Sequence, residues 1–297
     1  MDFDQLRTFL SIARSTSFSR AASALHRSQP AISRRIDLLE HELGVVLFER
    51  ARGGALLTDA GAALLPYAES ALAAVKDGEA AVRARLEGRT GTLSLALVGT
   101  LANASFSRAL RQFTRRFRDV RLALQTANSA EVSDLVRRGD ATLGLRYLDD
   151  PSPGLVCRTV TEGRLVIVAG ARHRLADGRR HRARDLAGER WVAFPARRAQ
   201  ESFVRYLDRK LTAAGLEERQ IVPIDSLTAQ KRLVEAGFGV ALLAESGAEE
   251  ELRLGTLKKL DIRDLSASIP VTLIHRRSGY LSSAAQHLIS TIAASSA

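Results

Sequence analysis

Apolar positions in the first 58 residues recur at helical spacing. Phe3, Leu6, Phe9, Leu10 and Ala13 form one stripe, Phe18, Ala21, Ala22 and Leu25 a second, and Ile32, Ile36 and Leu39 a third; each predicts a short helix. Ser17 precedes the second helix, and Ser28 precedes the third with Pro30 in its first turn, where a missing N–H breaks no helical hydrogen bond. Phe3, Phe9, Phe18, Leu25, Leu39 and Leu43 are the expected core. Beyond Leu43, two apolar runs flank Arg50-Ala51-Arg52-Gly53-Gly54, a hairpin signal with a basic tip. Three helices and a basic hairpin describe a winged helix-turn-helix over residues 1–58.

A second pattern follows. Thr58 is a candidate cap for one helix running to about Leu86, in which Leu65, Ala68, Leu72, Val75, Glu79, Val82 and Leu86 alternate at spacings of 3 and 4 with only Glu79 polar. That seam predicts a linker helix through which two copies dimerise, over residues 59–91, with Gly88-Arg89-Thr90-Gly91 as its hinge.

Residues 92–297 alternate short β runs with helical stretches. Strands are expected at 92–99, 120–126, 141–147, 165–170, 190–194, 220–224, 239–244 and 270–276, and residues 155–160 also read as a strand. Such alternation predicts open parallel sheets with ligands at the C-terminal ends of strands, two sheets facing a cleft.

Composition narrows the class. The 297 residues are 45% hydrophobic and 26% charged, with one cysteine, so a disulfide scaffold and a thiolate zinc cage are excluded and a reducing compartment fits. No stretch approaches ~18 consecutive apolar residues and no secretory h-region opens the chain, so a cytoplasmic location without membrane contact is expected. The net charge of +11 suggests an anionic partner. It does not locate one, because residues 1–58 hold 8 Arg against 6 acids, leaving 36 basic against 27 acidic residues beyond them. The six histidines form no metal-ligand helix pair, and no nucleophile elbow or phosphate-binding glycine loop occurs, so no enzyme is expected.

A helix-turn-helix sets the start of its second helix against base edges in the major groove. Here that start carries Ser28, Gln29, Pro30, Ala31, Ser33, Arg34 and Arg35. Gln29 suits an adenine edge, Arg34 is a cationic partner, and Ala31 leaves room for a thymine methyl. Arg50 and Arg52 on the wing suit phosphates or a narrow minor groove. Ser28 has a competing role as a helix cap alone.

The run Phe3, Leu6, Phe9, Ala13, Ser17-Phe18-Ser19, Ala21-Ala22, Leu25, Ser28-Gln29-Pro30-Ala31, Ser33, Ile36, Leu39-Glu40, Leu43-Gly44, Leu47-Phe48, Arg50, then Leu57-Thr58, Ala60-Gly61, resembles the LysR-type transcriptional regulators across the whole N-terminal region. The resemblance implies an α/β chain with an N-terminal winged helix-turn-helix, a long linker helix and a C-terminal effector domain similar to a periplasmic binding protein, with two subdomains. Subdomain I would span residues 92–162 and 268–297, and subdomain II residues 163–267. The implied partners are double-stranded promoter DNA, a small-molecule effector, a second copy joined through the linker helix, a homotetramer, and RNA polymerase; no cofactor is implied. By position, the effector residues would be Thr100, Asn128, Ser129 and Arg146 from subdomain I and Phe194, Pro195 and Ser226 from subdomain II. The helix starts behind such loops favour an anionic group. Thr142 stands where many members have Asp, and Ala244 where Pro is common.

Two other readings stand beside this one. In the first, the two-lobed part is a cytoplasmic solute-binding module or enzyme and the N-terminal part serves only assembly. In the second, a regulator has no small ligand and its cleft is filled by its own side chains. Cys157 has no resolving partner for redox sensing, and the arginine-rich stretch 172–184 reads as a solvated loop.

Overall fold

A computed structural model describes residues 1–51, 54–86, 91–195 and 202–295. The chain forms two compact units, one mainly of residues 1–88 and the other mainly of residues 89–297.

In the first unit, α1 (Phe3–Ser15) starts at Asp2, whose carboxylate accepts from the Gln5 N–H at 2.7 Å while the Gln5 side chain accepts from the Asp2 N–H at 2.7 Å. Ser17 caps α2 (Phe18–Ala24), and Ser28 caps α3 (Gln29–Leu43), which ends at Gly44 in the left-handed conformation at φ 69°. The apolar stripes turn inward: Leu6, Phe9, Ile12, Ala21, Ile32, Ile36 and Leu39 share one core with Leu47 and Phe48. Phe3 and Leu43 depart from expectation, at 55% and 41% exposed, because the first and last turns of α1 and α3 overhang that core. The wing is β1 (Phe48–Ala51) paired antiparallel with β2 (Gly54–Leu57). Gly54 lies so close to α1 that a Cβ there would collide with the Thr16 carbonyl, to which Ala55 donates at 2.9 Å.

The long helix is α4 (Asp59–Leu86), and Thr58 begins it by accepting from the Gly61 N–H at 3.1 Å and donating to the Val46 carbonyl at 2.7 Å. The expected seam divides. Leu65, Ala68 and Leu72 pack against the core of their own unit, whereas Val75 and Val82 are exposed. Heptad spacing cannot separate these two uses, since both need the same stripe.

The second unit begins with β3 (Gly91–Leu97), α5 (Ala104–Arg116), β4 (Val120–Thr126), α6 (Ser129–Arg137) and β5 (Leu143–Tyr147), in which β3 runs parallel to both β4 and β5. The chain then departs from the expected parallel sheets. One 16-residue strand, β6 (Leu155–Gly170), runs through the expected subdomain border. There follow β7 (Arg180–His181), β8 (Arg190–Ala193), α7 (Ser202–Ala213), β9 (Gln220–Pro223), α8 (Leu227–Glu235), β10 (Ala241–Ala244), α9 (Glu249–Leu254), β11 (Leu257–Ile262), β12 (Ala267–Arg276) and α10 (Ser283–Ser295). β12 pairs antiparallel with β5 and β6, while β10 and β11 pair antiparallel with β6. The main sheet is therefore mixed, in the order β4-β3-β5-β12-β6-β11-β7. β8 and β9 form a separate parallel pair. Long β6 and β12 carry the chain between a first lobe, around β3–β5, and a second lobe, around β8–β11, with one apolar core from Leu93 to Ile292.

Candidate functional site

The start of α3 is open to solvent within its unit: Ser28, Gln29, Pro30, Ala31 and Arg34 are exposed, while Ile32 and Ile36 hold the opposite face in the core. Ser28 spends its hydroxyl on the Ala31 N–H at 3.4 Å, the capping role. Gln29 is held from the preceding helix, its Oε1 accepting from the Ser19 hydroxyl at 3.1 Å. Oxygen has a second lone pair and the amide keeps both N–H donors, so Gln29 remains able to meet an adenine edge. Two expected contacts are less available. Arg35 is half-buried and lies 3.7 Å from Asp4, and Ser33 is half-buried on the helix flank. Arg50 falls within β1, its side chain outside the described residues, as is Arg52.

Sequence reasoning missed what fixes the wing. Glu40, on α3, accepts from the Leu47 N–H at 2.7 Å and the Phe48 N–H at 3.2 Å, so the hairpin is pinned to the helix that would enter the groove. A Cβ on Gly61 would strike the Leu47 carbonyl, which requires glycine there. Glu40 belongs to the run that resembles the LysR family, but nothing in the sequence indicates that its carboxylate reaches the wing.

In the second unit a cavity of about 90 Å³ lies where the two lobes meet, lined by Thr100, Asn128, Ser129, Tyr147, Phe194, Phe203, Leu227 and Ala244 among others. Four of the expected effector residues, Thr100, Asn128, Ser129 and Phe194, thus come together. Thr100 sits in a turn after β3 and shares a 2.8 Å hydrogen bond with the Tyr147 hydroxyl. Asn128 caps α6, accepting from the Glu131 N–H at 2.9 Å, and the Ser129 hydroxyl accepts from the Tyr147 N–H at 3.3 Å. Tyr147, absent from the expected set, is central: it is 2% exposed and its ring stacks on Phe203 with centroids 4.9 Å apart. Burial pushes its phenol above the usual tyrosine value, against hydrogen bonds with Thr100 and Ser246, so it is neutral at pH 7. Among the described residues that line the cavity, none carries a charged side chain.

The sequence profile described as "LysR substrate binding domain" matches residues 86–297. The profile described as "Bacterial regulatory helix-turn-helix protein, lysR family" matches residues 3–62. The chain belongs to the LysR family of transcriptional regulators. Among relatives of this LysR-family chain, the HTH-type transcriptional regulator TfdS of Cupriavidus pinatubonensis is 32% identical over 278 residues, covering 93% of this chain and 92% of its own. The HTH-type transcriptional regulator CbbR of Rhodospirillum rubrum is 30% identical over 291 residues, covering 98% and 95%. The crystal structure of CbnR, a LysR family transcriptional regulator, is similar with a TM-score of 0.66 at 26% identity, covering 100% of both chains. CbnR has also been solved full-length in complex with its target DNA; that structure gives a TM-score of 0.64 at 26% identity, covering 99% of this chain and 100% of its own.

Three expected effector residues of this LysR-family chain lie elsewhere. Arg146 points away from the cavity because side chains alternate along β5: Tyr147 faces the cavity and Arg146 the other side. Arg146 is 3% exposed, and its guanidinium donates to Asp150 at 2.7 Å and Ser133 at 2.9 Å. Burial works against the Asp150 carboxylate, but hydrogen bonds from Ser152 and Ser133 and the Arg146 charge outweigh it and hold the pKa at about 2. Pro195 lies on a second-lobe cavity instead, and exposed Ser226 caps α8 by accepting from the Ala229 N–H at 3.4 Å.

The departures from the family pattern also resolve. Thr142 packs its hydroxyl 3.2 Å from the Ser94 hydroxyl, joining β3 to the start of β5, while Ala244 lines the cavity directly. In the arginine-rich stretch, Arg174 pairs with Glu189 at 2.8 Å, Arg180 with Asp261 at 3.0 Å and His181 with Asp177 at 2.8 Å, so these charges serve the second lobe. Cys157 is half-buried on β6. Among the described residues, no cluster of His, Cys, Asp or Glu could hold a metal ion, and no helix is long and apolar enough to cross a membrane.

Proposed function

We propose that this regulator reads promoter DNA through the exposed start of α3, in the cytoplasm, and that a small molecule in the cavity around Thr100, Ser129 and Tyr147 alters that binding. The observation that carries the reading is the free start of α3: Gln29 and Arg34 are exposed on a helix whose other face is locked in the core, with the wing anchored to it by Glu40. An amide and a guanidinium supply base readout, and phosphate contacts supply the salt-dependent part of affinity. Exposed Val75 and Val82 support a second copy along α4. The cavity suits a small ligand whose anionic group meets neutral hydroxyls and the helix starts at Ser129 and Leu227.

The first test is a DNase footprint on the DNA flanking the protein's own gene, at two salt concentrations and with competitor DNA. A discrete, partly palindromic protected site is expected, with Gln29→Ala relaxing base preference. Equal losses by Gln29→Ala on specific and random duplexes would refute the assignment. One observation favours the ligand-free reading as a second: only about 90 Å³ is open, with Tyr147 and Phe203 stacked on its wall. Titrating metabolites against melting temperature separates the two, since a ligand of the native state raises it with concentration.

A further inference from the structure

A larger cavity, of about 690 Å³, is lined by the start of α5 in the first lobe, by α9 in the second and by the middle of β6 between them. Volumes of ~300–1,000 Å³ are those of small-molecule sites. Among the described residues it shares Tyr147 alone with the 90 Å³ cavity; the Tyr147 hydroxyl bonds Thr100 on the smaller wall and Ser246 on the larger. Val160, on the β6 wall, is bulged out of the β6–β12 ladder, since Val271 pairs with Thr161 and Thr272 with Thr159. Such a bulge bends its strand and commonly stands beside a site. Leu101, Phe106, Leu145 and Val271, each less than 10% exposed, make the wall largely apolar.

Among the described residues, four charged side chains line this cavity, and three of them, Glu162, Glu245 and Glu249, are acidic in a chain with 44 basic and 33 acidic residues. Glu245 is neutralised: its Oε2 lies 3.6 Å from Nε of Arg164, the fourth, and its Oε1 lies 3.1 Å from Lys259 Nζ. The carboxylates of Glu162 and Glu249 have no cation and no hydrogen-bond donor among the described residues, and both residues are exposed, so their oxygens are open to a ligand. Glu249 stands in the first turn of α9, whose dipole favours a carboxylate but brings no countercharged side chain. An exposed carboxylate needs no partner of its own; two on the wall of an apolar, ligand-sized cavity give that cavity a negative sign, which low-dielectric walls concentrate.

We propose that this cavity is a binding site for a small organic cation, a primary ammonium on a hydrocarbon body. The ammonium donates to the carboxylates of Glu162 and Glu249, and the body lies against Leu101, Phe106, Leu145 and Val271. Charge-assisted hydrogen bonds to a carboxylate are about twice as strong as neutral ones, so the ammonium outbinds an uncharged group on the same body. An anion meets two carboxylates without countercharge, while Arg164 is already paired with Glu245. This site is independent of the effector reading of the smaller cavity.

Phenethylamine, 2-phenylethanol and 3-phenylpropionate share one phenylethyl body and differ in charge, so equilibrium dialysis of each against the full-length protein at pH 7 isolates the contribution of the ammonium. Phenethylamine is expected to bind saturably, with the alcohol and the carboxylate each at least about tenfold weaker, since a site with polar groups waiting for a partner rejects an analogue that lacks it. Glu162→Gln combined with Glu249→Gln keeps the shape of both side chains and removes their charge; it should weaken phenethylamine at least about tenfold and leave 2-phenylethanol unchanged. Asn128→Ala, in the smaller cavity, should leave phenethylamine binding unchanged. The three-ligand series on the unaltered protein stands even if the double variant fails to fold. No saturable binding of phenethylamine, equal affinity for phenethylamine and 2-phenylethanol, or undiminished binding in the folded double variant would each overturn the proposal, as would loss of binding in Asn128→Ala alone.

Discussion

The Arg146–Asp150 pair supplies a quantitative prediction. Its side chains are 4% and 10% exposed with 2.7 Å between Nη1 and Oδ2, so solvent screens the interaction little. Asp150→Asn keeps the shape and removes the charge. A carboxyl moved from 3.8 to about 2 on folding stabilises the native state by about 2 kcal/mol at pH 7. Because the folded pKa is depressed, this stabilisation is complete above the unfolded value of 3.8 and disappears as pH falls through about 2. Urea unfolding followed by Trp191 emission reports the unit that contains the pair. At pH 7 the variant should be less stable by at least about 2 kcal/mol, a melting shift of about 4–8 °C for a unit of this size. The difference should fall to about half by pH 3. A loss that stays constant from pH 7 to pH 3, or one below about 0.5 kcal/mol at pH 7, would refute the linkage argument.

Three further predictions concern the two candidate sites. Ser19→Ala frees the Gln29 amide, so the ratio of specific to random-duplex affinity should fall about threefold while Ser19→Thr preserves it; an unchanged ratio in Ser19→Ala would mean that the hydroxyl does not position Gln29. Glu40→Ala leaves the Leu47 and Phe48 amides without their acceptor, costing about 1–3 kcal/mol locally, which should appear as faster hydrogen exchange at those two amides together with weaker binding to every duplex. Tyr147→Phe keeps the stack on Phe203 but loses the bonds to Thr100 and Ser246, so native stability should drop by about 1 kcal/mol with Phe203 still buried; hydrogen exchange at residues 99–101 and 245–247 should rise together, and a rise at only one turn would contradict a hydroxyl that joins the lobes.

The first unit was legible in the sequence because its determinants are local. Ser17, Ser28 and Pro30 punctuate helices within one turn, and Ile32, Ile36 and Leu39 repeat at a spacing that only a helix brings to one face. Thr100, Asn128, Ser129 and Phe194 were named from the resemblance to the LysR family, laid on the places where strands end, and the structure brings all four to one cavity. Strand direction was not legible. Period-two alternation reads the same along β6 whether its neighbour is parallel or antiparallel, and the sheet is made mixed by long-range antiparallel pairings: β6 with β10, β11 and β12, the last over a hundred residues away, and β12 with β5. Facing was also decided by tertiary structure: one position along β5 separates Tyr147 in the cavity from Arg146 in its pair with Asp150, and the choice depends on which side of the strand the second lobe covers. The stripe on α4 satisfies an intramolecular core and a partner equally well by spacing alone, so only the packing of Leu65 and Leu72 against the helix-turn-helix, with Val75 and Val82 left exposed, assigns each residue its use.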